Sequence, residues 1–242
     1  MGKVLNYLWR FWLLILAFIL TILFGIPVYI LSFSKKHYKY AYKFIRLWCF
    51  GMFYGMGFRY ELINLTDKKI DKQRQYVFVS NHTSLMDIML PCILFPDHPL
   101  CFVGKKELVR IPIFGTIYKR ICVMVDRKSA RSRAEVYRRC AEKMEEGNSI
   151  VIFPEGGVPD DTSIILDDFK DGAFILSSKH HAPLAVYTFV GLKEMFPFDN
   201  SRGYPGKVKV YFNDIIEPIP DQKEMKAMTY HTIKKTLIHN SY

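Results

Sequence analysis

Acidic residues are scarce in this chain: 23 Asp and Glu stand against 34 Lys and Arg, for a formal net charge of +11. Such a balance calls for an anionic partner, whether nucleic acid, anionic lipid head groups or an anionic substrate. Cysteine is sparse as well. Cys49, Cys92, Cys101, Cys122 and Cys140 make an odd set without a C-x-x-C spacing or a flanking His pattern. That excludes a zinc-ribbon type of site and a disulfide framework, and leaves small core side chains in a reducing compartment. Internal repeats, low-complexity tracts and long linkers are missing, so solenoids and disordered tails are excluded too. What the chain has in quantity is apolar surface. Half of its 242 residues are hydrophobic and 15% are aromatic, ample for one real core.

The longest uncharged stretch is at the start. Residues 11–34, FWLLILAFILTILFGIPVYILSFS, carry no charged side chain. As helix they reach about 36 Å, enough to cross a hydrocarbon layer of roughly 30 Å. A signal peptide would have an apolar region of only about 7–15 residues and a small-residue cleavage site, which this segment lacks. Gly25 and Pro27 lie inside the run and allow a bent or hairpin-like insertion instead of a full span. Lys35, Lys36, Lys39, Lys43 and Arg46 follow it, while only Lys3 and Arg10 precede it. The positive-inside bias therefore places the rest of the chain on the cytoplasmic side of a cell inner membrane. Residues 38–58 mix aromatic and basic side chains, the pattern of a helix in the membrane interface; a core helix with a solvated basic face is the competing reading. An anionic membrane surface accounts for much of the charge. Nucleic acid is then not an expected partner, as no helix-turn-helix, zinc-finger or RNP-type pattern occurs.

From residue 60 on, short apolar strands alternate with helical stretches. Strands are expected at 76–80, 100–104, 121–125, 149–153, 183–190 and 207–212. Helices are expected at 84–94, 111–120, 129–146, 169–181 and 221–238. This order predicts an α/β fold, a mixed and largely parallel sheet flanked by helices, in a domain spanning 59–242 behind N-terminal membrane or interfacial helices at 1–58.

Three constellations sit where strands end, the usual place for reactive groups in open α/β sheets. In Asn81-His82-Thr83-Ser84-Leu85-Met86-Asp87, an Asp accepting from one imidazole nitrogen leaves the other free to take a proton, which makes His82 a general base for a hydroxyl nucleophile. The same residues read equally well as a Ser84-x-x-Asp87 capping box. Phe153-Pro154-Glu155-Gly156-Gly157 is either a backbone cradle for an oxyanion or phosphate, or an ordinary strand-ending turn. Gly104-Lys105-Lys106-Glu107-Leu108, followed by Pro112 and Gly115 and then by Val125-Asp126-Arg127, supplies cations at neighbouring strand ends. Each of these alone reads as solvated charge.

In this order, N-H-x-S-x-x-D, G-K-x-E-L…P…G, V-D-R and F-P-E-G together resemble the glycerolipid acyltransferase family, which includes the 1-acyl-sn-glycerol-3-phosphate (lysophosphatidic acid) acyltransferases. The resemblance covers roughly residues 60–215. It implies transfer of a fatty acyl group from acyl-CoA or acyl carrier protein to the hydroxyl of a lysophospholipid acceptor, giving phosphatidic acid, with no bound cofactor and no metal. His82 and Asp87 would be catalytic, and Lys105, Arg127, Glu155, Gly156 and Gly157 would serve the acceptor's phosphate. Glu155 cannot attract a phosphate and would orient the cations or backbone donors. Two departures bear on the acceptor. The family's F-P-E-G-T-R ends here in Gly157-Val158, one arginine short, and Val186 stands where a late strand proline is usual. Another lysolipid acceptor, or a non-catalytic lipid-binding protein, are the alternative readings.

Overall fold

The computed structural model describes residues 2–111, 114–126, 129–159, 161 and 163–240. Two long helices open the chain, α1 (Lys3–Leu31) and α2 (Tyr38–Gly55), packed against each other as a hairpin. All but the last three residues of the apolar run lie within α1, which begins eight residues earlier and continues through Pro27 without a break. Close approach is set by glycine: a Cβ at Gly51 or Gly55 would come within 2.7 Å of Leu20 or Leu16. Indole N–H groups fasten the pair, Trp9 to the Met56 carbonyl at 3.2 Å, Trp12 to that of Gly55 at 3.0 Å and Trp48 to the Thr21 hydroxyl at 3.1 Å.

Among the described residues seven strands form one sheet: β1 (Arg59–Asn64), β2 (Val77–Val79), β3 (Leu100–Lys105), β4 (Val123–Val125), β5 (Ser149–Ile152), β6 (Leu184–Val190) and β7 (Lys207–Ile216). Their order is β1-β7-β6-β2-β5-β3-β4, and every pairing is parallel except β6 with β7. The expected mixed, largely parallel sheet is present. The fully buried β2 and β6 are the continuous apolar runs that helices on both faces demand. One face carries α2 and α3 (Met89–Leu94); the other carries α5 (Ala130–Glu145), α6 (Gly172–His180) and α8 (Gln222–Asn240). The remaining helices are α4 (Phe114–Ile121) and the single turn α7 (Leu192–Met195).

Four local expectations change. β1 is a strand that its sequence, RYELIN, does not advertise, since most of it faces solvent at the sheet edge. The helix expected at 84–94 is a 3₁₀ turn, Leu85–Ile88, leading into α3. The strand expected from 121 begins at Val123, because Ile121 still closes α4. α2 buries Ala41, Tyr42, Cys49, Met52 and Phe53, and it bonds to the α3 end through Tyr42 to the Phe95 carbonyl and Arg46 to that of Cys92. One face of α2 is thus core, while Lys39, Tyr40, Lys43 and Leu47 stay exposed.

The glycine of the G-K-x-E-L…G pattern has a packing reason. A Cβ on Gly115 would lie 2.0 Å from the Val109 carbonyl oxygen, and its N–H bonds to the Ile111 carbonyl at 2.7 Å. Neither side of that contact is a flexible side chain. Gly115→Ala should therefore destabilise the protein by about 1–3 kcal/mol, the usual cost of overpacking, read as a lowered denaturation midpoint in detergent; an unchanged midpoint would mean that the segment yields freely.

Candidate active site

β2 ends at Val79, and the chain turns at once. Buried Asn81 fixes this turn to the neighbouring strand: its amide N–H donates to the Phe189 carbonyl at 2.9 Å, and its side-chain oxygen accepts from the Phe189 N–H at 2.8 Å. Both elements of the Asn side chain mimic a strand, so the turn starts from a rigid edge.

The next residues carry the sequence's double reading, and the structure contains both halves of it. Ser84 and Asp87 form a reciprocal capping box at the start of the 3₁₀ turn. The same Asp87 oxygen, Oδ2, accepts from the backbone N–H groups of Thr83 and Ser84 and lies 3.2 Å from His82 Nδ1. Asp87 is wholly buried, and its Oδ1 has no partner among the described residues. An ionised carboxylate only accepts, so Nδ1 carries the proton and Nε2 presents a lone pair. The imidazole contacts two aromatic rings. It stacks on Phe153 with centroids 4.4 Å apart and meets Phe198 edge-on at 5.9 Å. Its side chain is 14% exposed. Ser84 is fully buried, its hydroxyl donating to the Phe196 carbonyl at 2.8 Å, which leaves it no role as a nucleophile.

Glu155 follows β5, the strand beside β2. Its Oε1 accepts the His82 N–H at 2.7 Å and its Oε2 the Asp167 N–H at 3.0 Å. Both oxygens face main-chain donors, so this carboxylate positions backbone. Burial pushes its pKa up to about 7, against the lowering effect of those two hydrogen bonds, with the Asp87 and Asp167 charges adding to the rise. Gly156 adopts the left-handed region at φ 76°, which a β-carbon disfavours, and its N–H closes the turn on the Phe153 carbonyl at 3.0 Å. Gly157 lies beside it, half-buried.

Lys105 ends β3 and is exposed. Phe102 and Phe78 share Val151 as partner, so Lys105 stands level with Asn81, two strand spacings or about 10 Å along the same sheet edge. It pairs in register with Val125, the end of β4. Arg127 lies outside the described residues. The sequence-expected residues His82, Asp87, Glu155, Gly156 and Gly157 thus come together at the ends of β2 and β5, with Lys105 further along that edge. Asn81, Phe153, Asp167 and Phe198 complete the site; the first two lie inside the quoted motifs, whereas Asp167 and Phe198 carry no local signal. The cysteines stay apart from it: burial raises the Cys101 thiol to about 12, far from a ready thiolate. Among the described residues no group of three or more His, Cys, Asp or Glu side chains is placed to hold a metal ion.

A His–Asp pair at the carboxyl ends of a parallel sheet is an arrangement suited to general-base chemistry. Comparison with known proteins makes that specific. A family model described as "Acyltransferase" matches residues 63–190. A probable 1-acyl-sn-glycerol-3-phosphate acyltransferase of Mycoplasma genitalium is 30% identical over 199 residues, covering 75% of this chain and 69% of that protein. The chloroplastic 1-acyl-sn-glycerol-3-phosphate acyltransferase BAT2 of Brassica napus is 27% identical, over 75% of this chain and 51% of its own. The crystal structure of the 1-acyl-sn-glycerophosphate acyltransferase PlsC of Thermotoga maritima shares the fold, with a TM-score of 0.80 at 24% identity, over 99% of this chain and 97% of that one. The chain belongs to the acyltransferase family, of the 1-acyl-sn-glycerol-3-phosphate acyltransferase type. It spans about half the length of several of the curated relatives that it matches.

The raised pKa of Glu155 has a sign that experiment can read. The folded state holds the proton more tightly than the unfolded chain does, so this group's contribution is complete below about pH 4.5 and is lost as pH rises to about 7. Glu155→Gln removes the titration. The stability difference between wild type and variant should therefore change by about 3 kcal/mol between pH 4 and pH 8, with wild type losing ground as pH rises. Denaturation at both pH values checks this, and a difference independent of pH would contradict it.

Proposed function

We propose that this chain acylates the free hydroxyl of 1-acyl-sn-glycerol-3-phosphate, forming phosphatidic acid for phospholipid synthesis. The observation that carries this reading is the His82–Asp87 pair, with Nδ1 engaged at 3.2 Å and Nε2 left for a substrate. Nε2 takes the acceptor's hydroxyl proton while that oxygen attacks the thioester carbonyl. The carbon–sulfur bond breaks, and the departing thiolate takes the proton from the imidazolium. The free thiol of CoA or acyl carrier protein leaves, and no acyl-enzyme forms. Asp87 stabilises the transient imidazolium and fixes its tautomer.

The acceptor's phosphate is assigned to Lys105 and Arg127, the latter suited to a bidentate grip. Glu155 and Gly156 shape the turn beside it, Gly157 is the backbone donor closest to hand, and Val158 supplies no cation. α1 anchors the site to the bilayer that holds the lysolipid. It is the one helix among the described residues long and apolar enough to cross a membrane, and most of its most apolar stretch faces outward. The lysines after it support a catalytic domain on the cytoplasmic face of the inner membrane, near anionic lipid.

His82→Ala should lose roughly 10²–10⁴-fold in turnover, the share of general-base catalysis, with an unchanged fold; Asp87→Asn should also be severely impaired. Near-normal activity of His82→Ala would end this mechanism. For the acceptor, Arg127→Ala should raise the Michaelis constant for lysophosphatidate at saturating acyl-CoA by about 1.5–3 kcal/mol in free-energy terms, with Arg127→Lys a poor rescue. A wild-type enzyme that ignores lysophosphatidate and acylates a lysolipid without a terminal phosphate would instead make Gly157-Val158 the mark of a changed acceptor.

A further inference from the structure

The aromatic wall on the outer side of His82 belongs to neither of the strands that build the site. Phe198 sits in the loop between α7 and β7, about half exposed, with its ring edge-on to the imidazole. Beside that ring contact, the loop meets the catalytic turn where the Ser84 hydroxyl donates to the Phe196 carbonyl at 2.8 Å. Further anchors come from Phe58, which meets the Phe196 ring edge-on, from Glu194, which pairs with Arg202, and from the first turns of α1. Arg10 donates to the carbonyls of Pro197 at 3.0 Å and Arg202 at 2.6 Å and to the Asn200 side-chain oxygen at 2.5 Å. Its guanidinium lies over the Phe196 ring, 4.3 Å from the centroid. Asn6 donates to the Asn200 carbonyl at 3.1 Å, and Trp9 meets Phe196 edge-on at 5.3 Å. Asn200 adopts a left-handed backbone, φ 58°, and a Cβ on Gly203 would strike Asn6 at 2.5 Å. A loop bent this way and fastened at this many points is held in one shape.

We infer that Phe198 is a positioning residue that keeps water away from the base, and that Arg10 of α1 holds it there. The inference rests on His82 as the base. An imidazole able to deprotonate a lipid hydroxyl can equally deprotonate water. Water attacking the thioester carbonyl breaks the same carbon–sulfur bond and yields a free fatty acid and a free thiol, so the acyl group is lost. Phe153 stacks on the ring and Phe198 meets it edge-on, and the imidazole is left only 14% exposed. An apolar wall admits an acyl chain or a lysolipid tail and excludes a small polar competitor. Because the wall hangs on α1, the choice between transfer and hydrolysis depends on the helix that meets the membrane. A single arginine fork with three oxygen partners in the loop, a fourth on Asn6 and a ring beneath it is a grip that lysine reproduces only in part.

The test is the partition of the acyl group, not the rate. Full-length protein in phospholipid vesicles receives labelled acyl-CoA and lysophosphatidate, and the ratio of free fatty acid to acylated product is measured. Phe198→Ala should raise that ratio several-fold, and Phe198→Leu, which keeps an apolar wall, should restore it. Arg10→Ala should shift it the same way and Arg10→Lys should restore it partly. The double variant Arg10→Ala/Phe198→Ala should be no worse than Phe198→Ala, since both act through one ring. A general structural defect lowers both products together and leaves their ratio alone. An unchanged ratio in Phe198→Ala overturns the inference, and additive effects in the double variant overturn the part assigned to Arg10. If Arg10→Ala fails to accumulate, the Phe198 pair still decides the first claim. His82→Ala run alongside separates the two readings: loss of both products there with an unchanged ratio in Phe198→Ala removes only the water wall, whereas retained transfer there removes the base.

Discussion

A buried carboxylate bridging two backbone N–H groups organises the catalytic edge of this protein. Glu155 joins the turn after β2 to the segment that leads into α6, accepting from His82 on one side and Asp167 on the other. The two strand ends it connects are neighbours in the sheet, yet 73 residues separate its partner His82 from it in the chain. Its position keeps the backbone of His82 in place, so that the imidazole can lie flat on Phe153 and reach Asp87. The cost is a carboxylate held out of water, visible in its raised pKa. A second economy accompanies it. Asp87 caps its helical turn and orients the imidazole with one and the same oxygen, which explains why a capping pattern and a catalytic pattern coincide in the sequence.

Most of the sheet was legible because its central strands are short apolar runs. β2, β5 and β6 have helices on both faces and must be hydrophobic throughout, and their runs stand out for that reason. β1 did not, because it borders solvent and alternates exposed with half-buried residues. The site was legible where function concentrates on local motifs: His82 with Asp87, and Glu155 with its glycines. It was illegible where contact depends on tertiary packing. Nothing in the loop Phe196–Tyr204 marks Phe198 as a neighbour of a histidine more than a hundred positions earlier. Nor does anything around Arg10, read beforehand only as a flanking charge, reveal the carbonyls it collects.

The N-terminal hairpin shows how one helix can serve two solvents. α1 turns most of its apolar surface outward, and its inward stripe meets α2 through Leu16 and Leu20 set against glycines. α2 in turn is half core and half basic rim. The amphipathic pattern of residues 38–58 therefore belongs to a helix with one buried face and one exposed, basic face.

The place of β7 in the sheet has a consequence for how the chain is made. β1 leaves the ribosome early, but among the described residues its only neighbour in the sheet is β7, the last strand to appear. At about 5–20 residues per second, the first strand waits roughly ten seconds or more for its partner. The sheet therefore cannot be completed from its first edge inward. During that interval α1 and α2 are already synthesised, and RYELIN is the part of the growing chain that must stay unpaired. Its exposed, charge-bearing side chains, Arg59 and Glu61, suit a segment that has to wait without aggregating.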